Sequence, residues 1–277
     1  MSAEKDISLD EKRVFDESAD VETVLVATEL GVASISVSGE QIGRFGLEVR
    51  CVARDVAAVP GEAAVATEDG VLRTHGAEFA ETGFAPAVAV GYHDEVLVAA
   101  DETGRVARYE GAADEWSTVG TLDADVRAID GDLLATSEGV YRVVDGDLSH
   151  AGLADVRDVA AAGTPHAASD GGLYALGNGW MCDVEGDATL VEVDRHTASA
   201  SGVDRAHAVV DGGFLAHDDG AWLSIDLPVD ETVAGVAYGT ERPFVVTEDG
   251  TVLLEGDAGE WHYRSLGLAG VAGVAVP

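Results

Sequence analysis

One pattern of apolar and polar residues returns at intervals along the chain. A short apolar segment leads into acidic residues and a glycine, and a second apolar segment follows it. Acidic residues beside glycine tolerate the positive φ angles of tight turns, so each copy predicts a hairpin of two antiparallel strands. The copies are VATELG at 26–31, VATEDG at 65–70, VAADETG at 98–104, LATSEG at 134–139, HAASDGG at 166–172, LAHDDG at 215–220 and VVTEDG at 245–250.

The spacing of these copies predicts the fold. Seven copies are present, and successive copies begin 30 to 49 residues apart, which is typical of propeller blades. Apolar residues do not follow the helical i, i+3, i+4, i+7 spacing over any useful length. We therefore predict an all-β fold: a seven-bladed β-propeller of four-stranded antiparallel blades.

Each predicted hairpin supplies the two middle strands of a blade, and the flanking segments predict the other two. Small apolar residues precede the hairpins, and Ala, Val and Gly fit where blades crowd the central axis. These predicted inner strands are CVARDVAAVP, APAVAVGY, VRAIDG, VRDVAAAG, RAHAVVDG and VAGVAYG. The clearest predicted outer strands are QIGRFGL, EWSTVGTL and EWHYRSLGL.

The ends of the repeat array predict how the ring closes. The chain enters the first blade at its second strand, and residues 269–277, AGVAGVAVP, resemble an inner strand without a partner. Pairing them into the first blade completes it and covers both open edges. Residues 21–277 are thus predicted to form one propeller domain, with 1–20 as a charged leader, flexible or peripheral. The longest interval predicts an insertion at 182–204, in a longer outer hairpin or loop.

The charge balance predicts a cellular setting. Asp and Glu number 52 against 16 Lys and Arg, a net charge of −36. Such a charge opposes a compact state by self-repulsion unless concentrated salt screens it. We therefore expect a protein of a high-salt cytoplasm; the alternatives are an acidic mesophilic protein or one that binds a basic partner.

Several classes of partner are disfavoured by the same composition. Nucleic-acid binding depends on clusters of Lys and Arg, which the bulk of this surface lacks. Residues 1–20 contain no apolar core of signal-peptide length, and no apolar segment approaches the roughly 20 residues of a membrane span. We expect a cytoplasmic protein with neither a nucleic-acid nor a membrane partner, and its two cysteines are too few for a disulfide framework.

Arginine gives the candidate binding site. Alignment of the inner strands on RDVAA at 54–58 and 157–161 places four arginines at one equivalent position, the start of the strand: Arg54, Arg127, Arg157 and Arg205. That position predicts a ring at the mouth of the axial channel, and arginine prefers carboxylate or phosphate partners. The site would hold a small anion or an acidic peptide.

Inter-blade pairing is the alternative role for these arginines. Each guanidinium could instead pair with an acidic residue of its own or the next blade and tie the blades together. Acidic residues adjacent in sequence make this the simpler interpretation. They are Asp55, Asp125, Asp155, Asp158 and Asp204.

Other chemistry-bearing residues predict no site. The acidic residues of the glycine turns are interpreted as turn chemistry and solvation, and form no calcium-loop pattern. The eight histidines lack ligand spacing, and His207, on a predicted inner strand, is interpreted as a core residue. We expect no metal site, no cofactor and no catalytic residue. The acidic turn residues are Glu29, Glu68, Asp69, Glu138, Asp170, Asp218, Asp219, Glu248 and Asp249.

VATEDGVLR and RVARYEGAADEWSTVG resemble the blade repeats of BNR-like and sensor-type propellers. Over about 21–277 the chain looks most like haloarchaeal β-propeller proteins. The resemblance implies the fold but not an activity, because propellers serve as scaffolds, hydrolases, lyases and sensors. The segments before Trp116 and Trp261 lack the Ser and Thr of the sialidase Asp box, so no catalytic residue is carried over.

The sequence therefore favours a non-catalytic interaction or scaffold propeller. It would bind a protein partner or a small anionic ligand on its loop face near the axis. A hydrolase or lyase with its site at the channel mouth remains the alternative, because single residues from different blades leave no local motif. A dimerisation platform also stays open.

Overall fold

The computed structural model describes residues 21–75, 78–199, 202–203, 205–218 and 220–277. These residues form seven four-stranded sheets, and all neighbouring strands within a sheet are antiparallel. The predicted leader, 1–20, lies outside the described residues. Within the described ranges no helix is long and apolar enough to cross a membrane.

The strands are numbered in chain order, and the blades in the order in which their inner strands follow one another around the ring. Six blades are contiguous in sequence, while blade 1 combines strands from both ends of the described chain. From the inner to the outer strand, blade 1 contains β28 (Gly273–Ala275), β1 (Val21–Thr28), β2 (Gly31–Ser38) and β3 (Gln41–Val49), and blade 2 contains β4 (Ala53–Val59), β5 (Glu62–Thr67), β6 (Val71–His75) and β7 (Glu78–Glu81). Blade 3 contains β8 (Ala87–His93), β9 (Val96–Asp101), β10 (Arg105–Glu110) and β11 (Glu115–Thr121), and blade 4 contains β12 (Val126–Asp130), β13 (Leu133–Thr136), β14 (Gly139–Val144) and β15 (Asp147–Gly152). Blade 5 contains β16 (Val156–Ala160), β17 (His166–Ser169), β18 (Gly172–Leu176) and β19 (Trp180–Glu185), blade 6 contains β20 (Ala188–Val193), β21 (Ala206–Val210), β22 (Gly213–Asp218) and β23 (Ala221–Ser224), and blade 7 contains β24 (Val233–Tyr238), β25 (Pro243–Thr247), β26 (Thr251–Glu255) and β27 (Trp261–Ser265).

The predicted fold and ring closure are confirmed. β28 pairs with β1 through Leu25 with Ala275, Val26 with Val274, and Ala27 with Gly273. Three residue pairs thus join the last described strand to the first blade and cover the edge of β1, which would otherwise be open.

Apolar burial lies between the blades. Each seam between neighbouring blades holds a cluster of buried Val and Leu side chains, six of the seven seams also contain buried Ala, and the seam between blades 7 and 1 adds Phe244 and Ile35. A single sheet could not bury both of its apolar faces, so the blades are stable only as packed neighbours around the ring.

The glycine that ends the recurring segment has a steric cause. Gly70 and Gly104 have φ angles of +151° and +79°. A Cβ on Gly70 would lie 2.5 Å from the carbonyl oxygen of Phe84, and one on Gly104 would lie 2.1 Å from that of Leu122. Only a residue without a side chain lets the turn pack against the loop that leaves the outer strand.

A threonine in the recurring segment also stabilises this turn, through a hydrogen bond from its side-chain hydroxyl. The buried side chains of Thr28, Thr67 and Thr136 donate hydrogen bonds of 2.7, 2.9 and 2.7 Å to the carbonyl of the residue three positions later. The acidic residues beside them are exposed. The recurring segment is therefore explained by its turn.

Blade 6 departs from the sequence prediction. RAHAVVDG contains β21, the second strand, and LAHDDG joins the third and outer strands, not the second and third. The inner strand is instead β20, whose Thr, Leu and Glu residues lack the predicted small-residue composition. The predicted insertion at 182–204 includes the end of β19, all of β20 and most of the residues between β20 and β21.

Candidate functional site

The candidate site begins with a bulge in the inner strands. In six blades the pairing of the inner strand with its neighbour shifts at the second residue, which turns that residue out of the regular ladder. The residues at this position are Arg54, Val88, Arg127, Arg157, Thr189 and Ala234. Three of the four predicted arginines therefore occupy one equivalent position.

The three arginines line the axial channel. Arg54, Arg127 and Arg157 all border a cavity of about 570 Å³, together with residues of the surrounding inner strands. They stand at the end of the inner strands where the loops from the preceding blades arrive. We call this surface, formed by those loops and by the turns between second and third strands, the loop face.

Each arginine contacts the next blade. Arg54 donates to the carbonyl of Ala87 at 3.3 Å and to Glu102 at 2.6 Å. Arg127 donates to the carbonyl of Val156 at 3.1 Å and pairs with Asp155 at 2.7 Å.

Arg157 repeats the arrangement. It donates to the carbonyl of Ala188 at 3.4 Å and pairs with Asp187. The accepting carbonyl is always that of the first residue of the next inner strand. Inter-blade pairing, kept as the alternative from the sequence, is thus present at all three arginines; Asp155 was among the named partners, whereas Glu102 and Asp187 were not.

The guanidinium groups of these three arginines can donate further hydrogen bonds. Their exposed fractions are 32%, 33% and 31%. In the described part of the chain the hydrogen bonds of Arg54 and Arg157 all come from Nη1, although a guanidinium carries five N–H donors. A carboxylate arriving from solvent would therefore find unused donors.

Arg205 lies elsewhere, so its alignment with the other arginines was wrong. It precedes β21 and donates to the carbonyl of Glu241 at 3.1 Å, in the turn between β24 and β25. Its Nη2 lies 3.6 Å from Glu255. These groups belong to the face opposite the loop face, because β21 runs antiparallel to its inner strand.

His207 is a core residue on a second strand, not an inner one. Its Nδ1 lies 2.6 Å from the hydroxyl of Tyr238, and its ring stacks on Phe214 with centroids 4.9 Å apart. Burial, with Arg205 as a smaller cause, lowers the pKa of His207 to about 3. The ring is therefore neutral and structural.

Most of the acidic turn residues identified in the sequence lie on the loop face. Glu29, Glu68, Asp69, Glu138, Asp170, Glu248 and Asp249 are exposed on turns between second and third strands, as expected. Asp218 instead ends β22 and lies at the opposite face. Asp219, and the proposed arginine partner Asp204, fall outside the described residues.

Asp55 and Asp158, which follow two of these arginines in the chain, share a structural role that the sequence did not reveal. Asp55 accepts hydrogen bonds from the amide of Val56 at 2.8 Å and from that of Val90, on the next inner strand, at 2.9 Å. Asp158 repeats this with Val159 and with Val191, both at 2.9 Å. Both carboxylates therefore bridge neighbouring inner strands in the channel wall.

Burial changes the acidity of both carboxyls. It raises the pKa of Asp55 to about 7, against the lowering effect of its two backbone hydrogen bonds. It also raises the pKa of Asp158 to about 7, where the charges of Asp130 and Asp55 add to the effect. A proton is therefore partly retained at each group near neutral pH.

The far half of the channel carries a second charged group. Asp130 pairs with Arg195 and accepts a hydrogen bond from the amide of Ala161 at 2.7 Å. Burial, and then the charge of Asp130, raise the pKa of Glu192 well above its ordinary value. Carboxyl groups thus line the channel behind the arginines, whereas the guanidinium groups lie at its loop-face mouth.

The comparison with protein families agrees with this architecture. The family described as "Beta-prop_HVO_0234:-like, beta propeller" matches residues 8–277. The chain belongs to this β-propeller family. No curated protein matches the sequence.

Solved structures share the fold of this family member at low sequence identity. YCF48 bound to D1 peptide has a TM-score of 0.58 and 14% identity, over 77% of this chain and 82% of YCF48. The computationally designed Ika8 protein has a TM-score of 0.61 and 11% identity, over 93% and 90%. Saccharomyces cerevisiae Sqt1 has a TM-score of 0.53 and 12% identity, over 78% and 75%. These likenesses show the fold alone.

Proposed function

We propose that the protein is a non-catalytic interaction propeller of a high-salt cytoplasm. Its loop face binds a protein partner, and Arg54, Arg127 and Arg157 contact carboxylates of that partner at the channel mouth. The observation that carries this proposal is the placement of three partly exposed arginines at equivalent bulges around one cavity. Arg205, on the opposite face, is not part of the proposed surface.

Geometry supports a carboxylate as the contacted group. The inter-blade contacts hold each guanidinium in place, so little side-chain entropy is lost when a second acceptor arrives. The guanidinium groups lie at the mouth and carboxyl groups line the wall behind them, which favours a carboxylate presented from outside the channel. YCF48, which has the same fold, binds a peptide, and so supports peptide binding by a propeller of this shape.

The hydrolase or lyase alternative has one observation in its favour, the raised pKa of two channel carboxyls. However, both oxygens of Asp55 and of Asp158 already accept backbone amide hydrogen bonds. A general acid or base needs one oxygen directed at a substrate. The geometry therefore supports the binding proposal over the enzymatic one.

The proposal is tested with charge-matched variants in about 2 M KCl. Tagged wild-type protein is compared with the mouth variant R54Q/R127Q/R157Q, and co-purifying proteins are identified by mass spectrometry. We expect one defined partner with the wild type and at least a tenfold lower recovery with the mouth variant, since buried arginine contacts contribute about 2 kcal/mol or more.

The control variant R73Q/R142Q/R205Q removes three arginines that also pair with carboxylates, but at the opposite face. It should recover the partner as the wild type does, with thermal unfolding measured for all three proteins. Equal recovery by both variants, or no specific protein with the wild type, would contradict the proposal.

A further inference from the structure

The seam between the last and first blades holds a mixed cluster of ligand-type side chains away from the channel. Glu40 lies in the turn between β2 and β3 of blade 1, while Glu260 and His262 belong to the turn before β27 and to β27 itself, in blade 7. Their ligand atoms all lie within 4.8 Å of one another. We propose that these three residues bind a divalent transition-metal ion of the zinc type, which links blade 7 to blade 1.

The separations suit a common metal ligand sphere. His262 Nε2 lies 3.6 Å from Glu40 Oε2 and 3.5 Å from Glu260 Oε1. Zinc binds nitrogen and carboxylate oxygen at about 2.0–2.2 Å, so neighbouring ligands of a tetrahedral site are about 3.3–3.5 Å apart. One imidazole and two carboxylates leave a fourth position for water.

The imidazole nitrogen has no other assignment. Nε2 of His262 is shielded from solvent and has no hydrogen-bond partner, although it faces the two carboxylates. A buried polar atom without a partner costs free energy, and a metal ion would satisfy it.

Gly256 keeps the space between the ligands open. Its φ angle is not in the left-handed region, so the backbone does not require glycine there. A Cβ on Gly256 would lie 2.9 Å from His262 Nε2, 3.0 Å from Glu260 Cδ and 3.0 Å from Glu40 Oε1. The added methyl group would therefore occupy the place where the three ligands converge.

Glu40, the proposed ligand from blade 1, is held in position by blade 7. Glu40 Oε1 accepts a hydrogen bond of 2.9 Å from the amide of Asp257, so the carboxylate of blade 1 is fixed against the turn of blade 7. Such outer contacts orient metal ligands and strengthen binding.

The test is calorimetric titration of the chelator-treated full chain with Zn²⁺ at pH 8 in molar KCl, with thermal unfolding measured with and without Zn²⁺. We expect one equivalent to bind and to raise the unfolding midpoint, while equimolar Mg²⁺ does neither.

Two variants remove the site in different ways. H262Q deletes a ligand. G256A keeps every ligand but places a methyl group in the space between their side chains. Each variant should bind Zn²⁺ at least about tenfold more weakly than the wild type. Loss of a single outer contact already weakens metal binding by about 10–100-fold. The control H75Q alters an exposed histidine at the end of β6 and should bind Zn²⁺ as the wild type does.

Three results would overturn the proposal: no saturable Zn²⁺ binding by the wild type, unchanged affinity in both H262Q and G256A, or an equal loss in H75Q. Because G256A retains the charges and hydrogen-bonding groups of the seam, its zinc affinity separates metal binding from a simple ion pair between His262 and the carboxylates.

Discussion

Asp55 and Asp158 have the same task in blades 2 and 5. Each follows an arginine in an Arg-Asp-Val sequence, and each links its own strand to the next inner strand through two amide hydrogen bonds. The arginine ties the mouth of the seam, and the aspartate ties the wall behind it. Two adjacent residues thus make two different inter-blade connections.

The raised pKa of these carboxyls predicts a pH dependence of stability. Between about pH 4 and pH 7 the folded state retains protons that the unfolded state has released, so the free energy of unfolding falls as pH rises through this window. It should level off above about pH 7. Urea unfolding from pH 4 to 9 at constant molar KCl measures this slope.

The variant D55N/D158N should show a smaller slope, although it is less stable overall because an asparagine amide cannot accept both amide hydrogen bonds. D170N/D249N removes the same charge from two exposed turns and should keep the wild-type slope. A slope that is equal in all three proteins would show that these carboxyls titrate at ordinary pH values.

At the scale of single residues, the sequence identified the arginine position but not all of its partners. Arg54 and Arg157 share the RDVAA segment, so their equivalence could be read directly. Glu102 lies 48 positions from Arg54, and its contact depends on the packing of blade 3 against blade 2. Sequence adjacency suggested Asp55 instead, which bonds to backbone amides.

Among the elements, β28 has a role out of proportion to its length. Its three residues pair with β1, and Ala275 is buried in the seam between blades 1 and 2. The strand provides the inner edge of blade 1, so the ring depends on it.

Substitution of Ala275 by Asp should lower the free energy of unfolding by roughly 3 kcal/mol or more, because an unpaired carboxylate would be buried. Ala272, in the same segment, is exposed, and A272D should cost less than about 1 kcal/mol. Urea midpoints of the two variants measure the difference. Similar midpoints would show that β28 contributes little to closure.

The sequence predicted elements well where composition followed position, and failed in blade 6 where it did not. The inner strand β20, ATLVEV, contains few small residues, and the glycine turn LAHDDG stands one hairpin later than in the other blades. A turn sequence specifies a tight hairpin but not which pair of strands it joins. The other hairpins were assigned correctly because their inner strands are recognisable beside them.

For the whole molecule, net charge is the dominant quantity. A charge of −36 on 277 residues produces repulsion that native contacts must overcome. The described arginines at the seams, among them Arg54, Arg127 and Arg157, reduce it locally, whereas acidic turn residues such as Glu68 and Glu248 are exposed.

We expect the thermal midpoint to rise by at least several degrees between about 0.1 M and 1 M KCl, as the Debye length falls from about 10 Å to about 3 Å. NaCl of equal ionic strength should give the same rise, because screening does not depend on which monovalent cation is present. Circular dichroism followed during heating measures it. An unchanged spectrum and midpoint at a few millimolar salt would contradict the expectation.

The cluster of Glu40, Glu260 and His262, proposed to bind zinc, could not be predicted from a local sequence pattern alone. Glu40 and His262 are more than 200 positions apart and meet only because the ring closes. Glu260 and His262 lie two positions apart in one segment, so ligand spacing, the usual sequence signal, includes only two of the three residues.

Ring closure by β28 also sets an order of events during protein synthesis. Blades 2 to 7 each consist of consecutive strands, so each sheet can pair soon after its residues leave the ribosome. Blade 1 must wait, with the edge of β1 uncovered, until the residues of β28 have been translated. The earliest described strands are therefore exposed to aggregation for longest, until β28 has emerged from the ribosome and paired with β1.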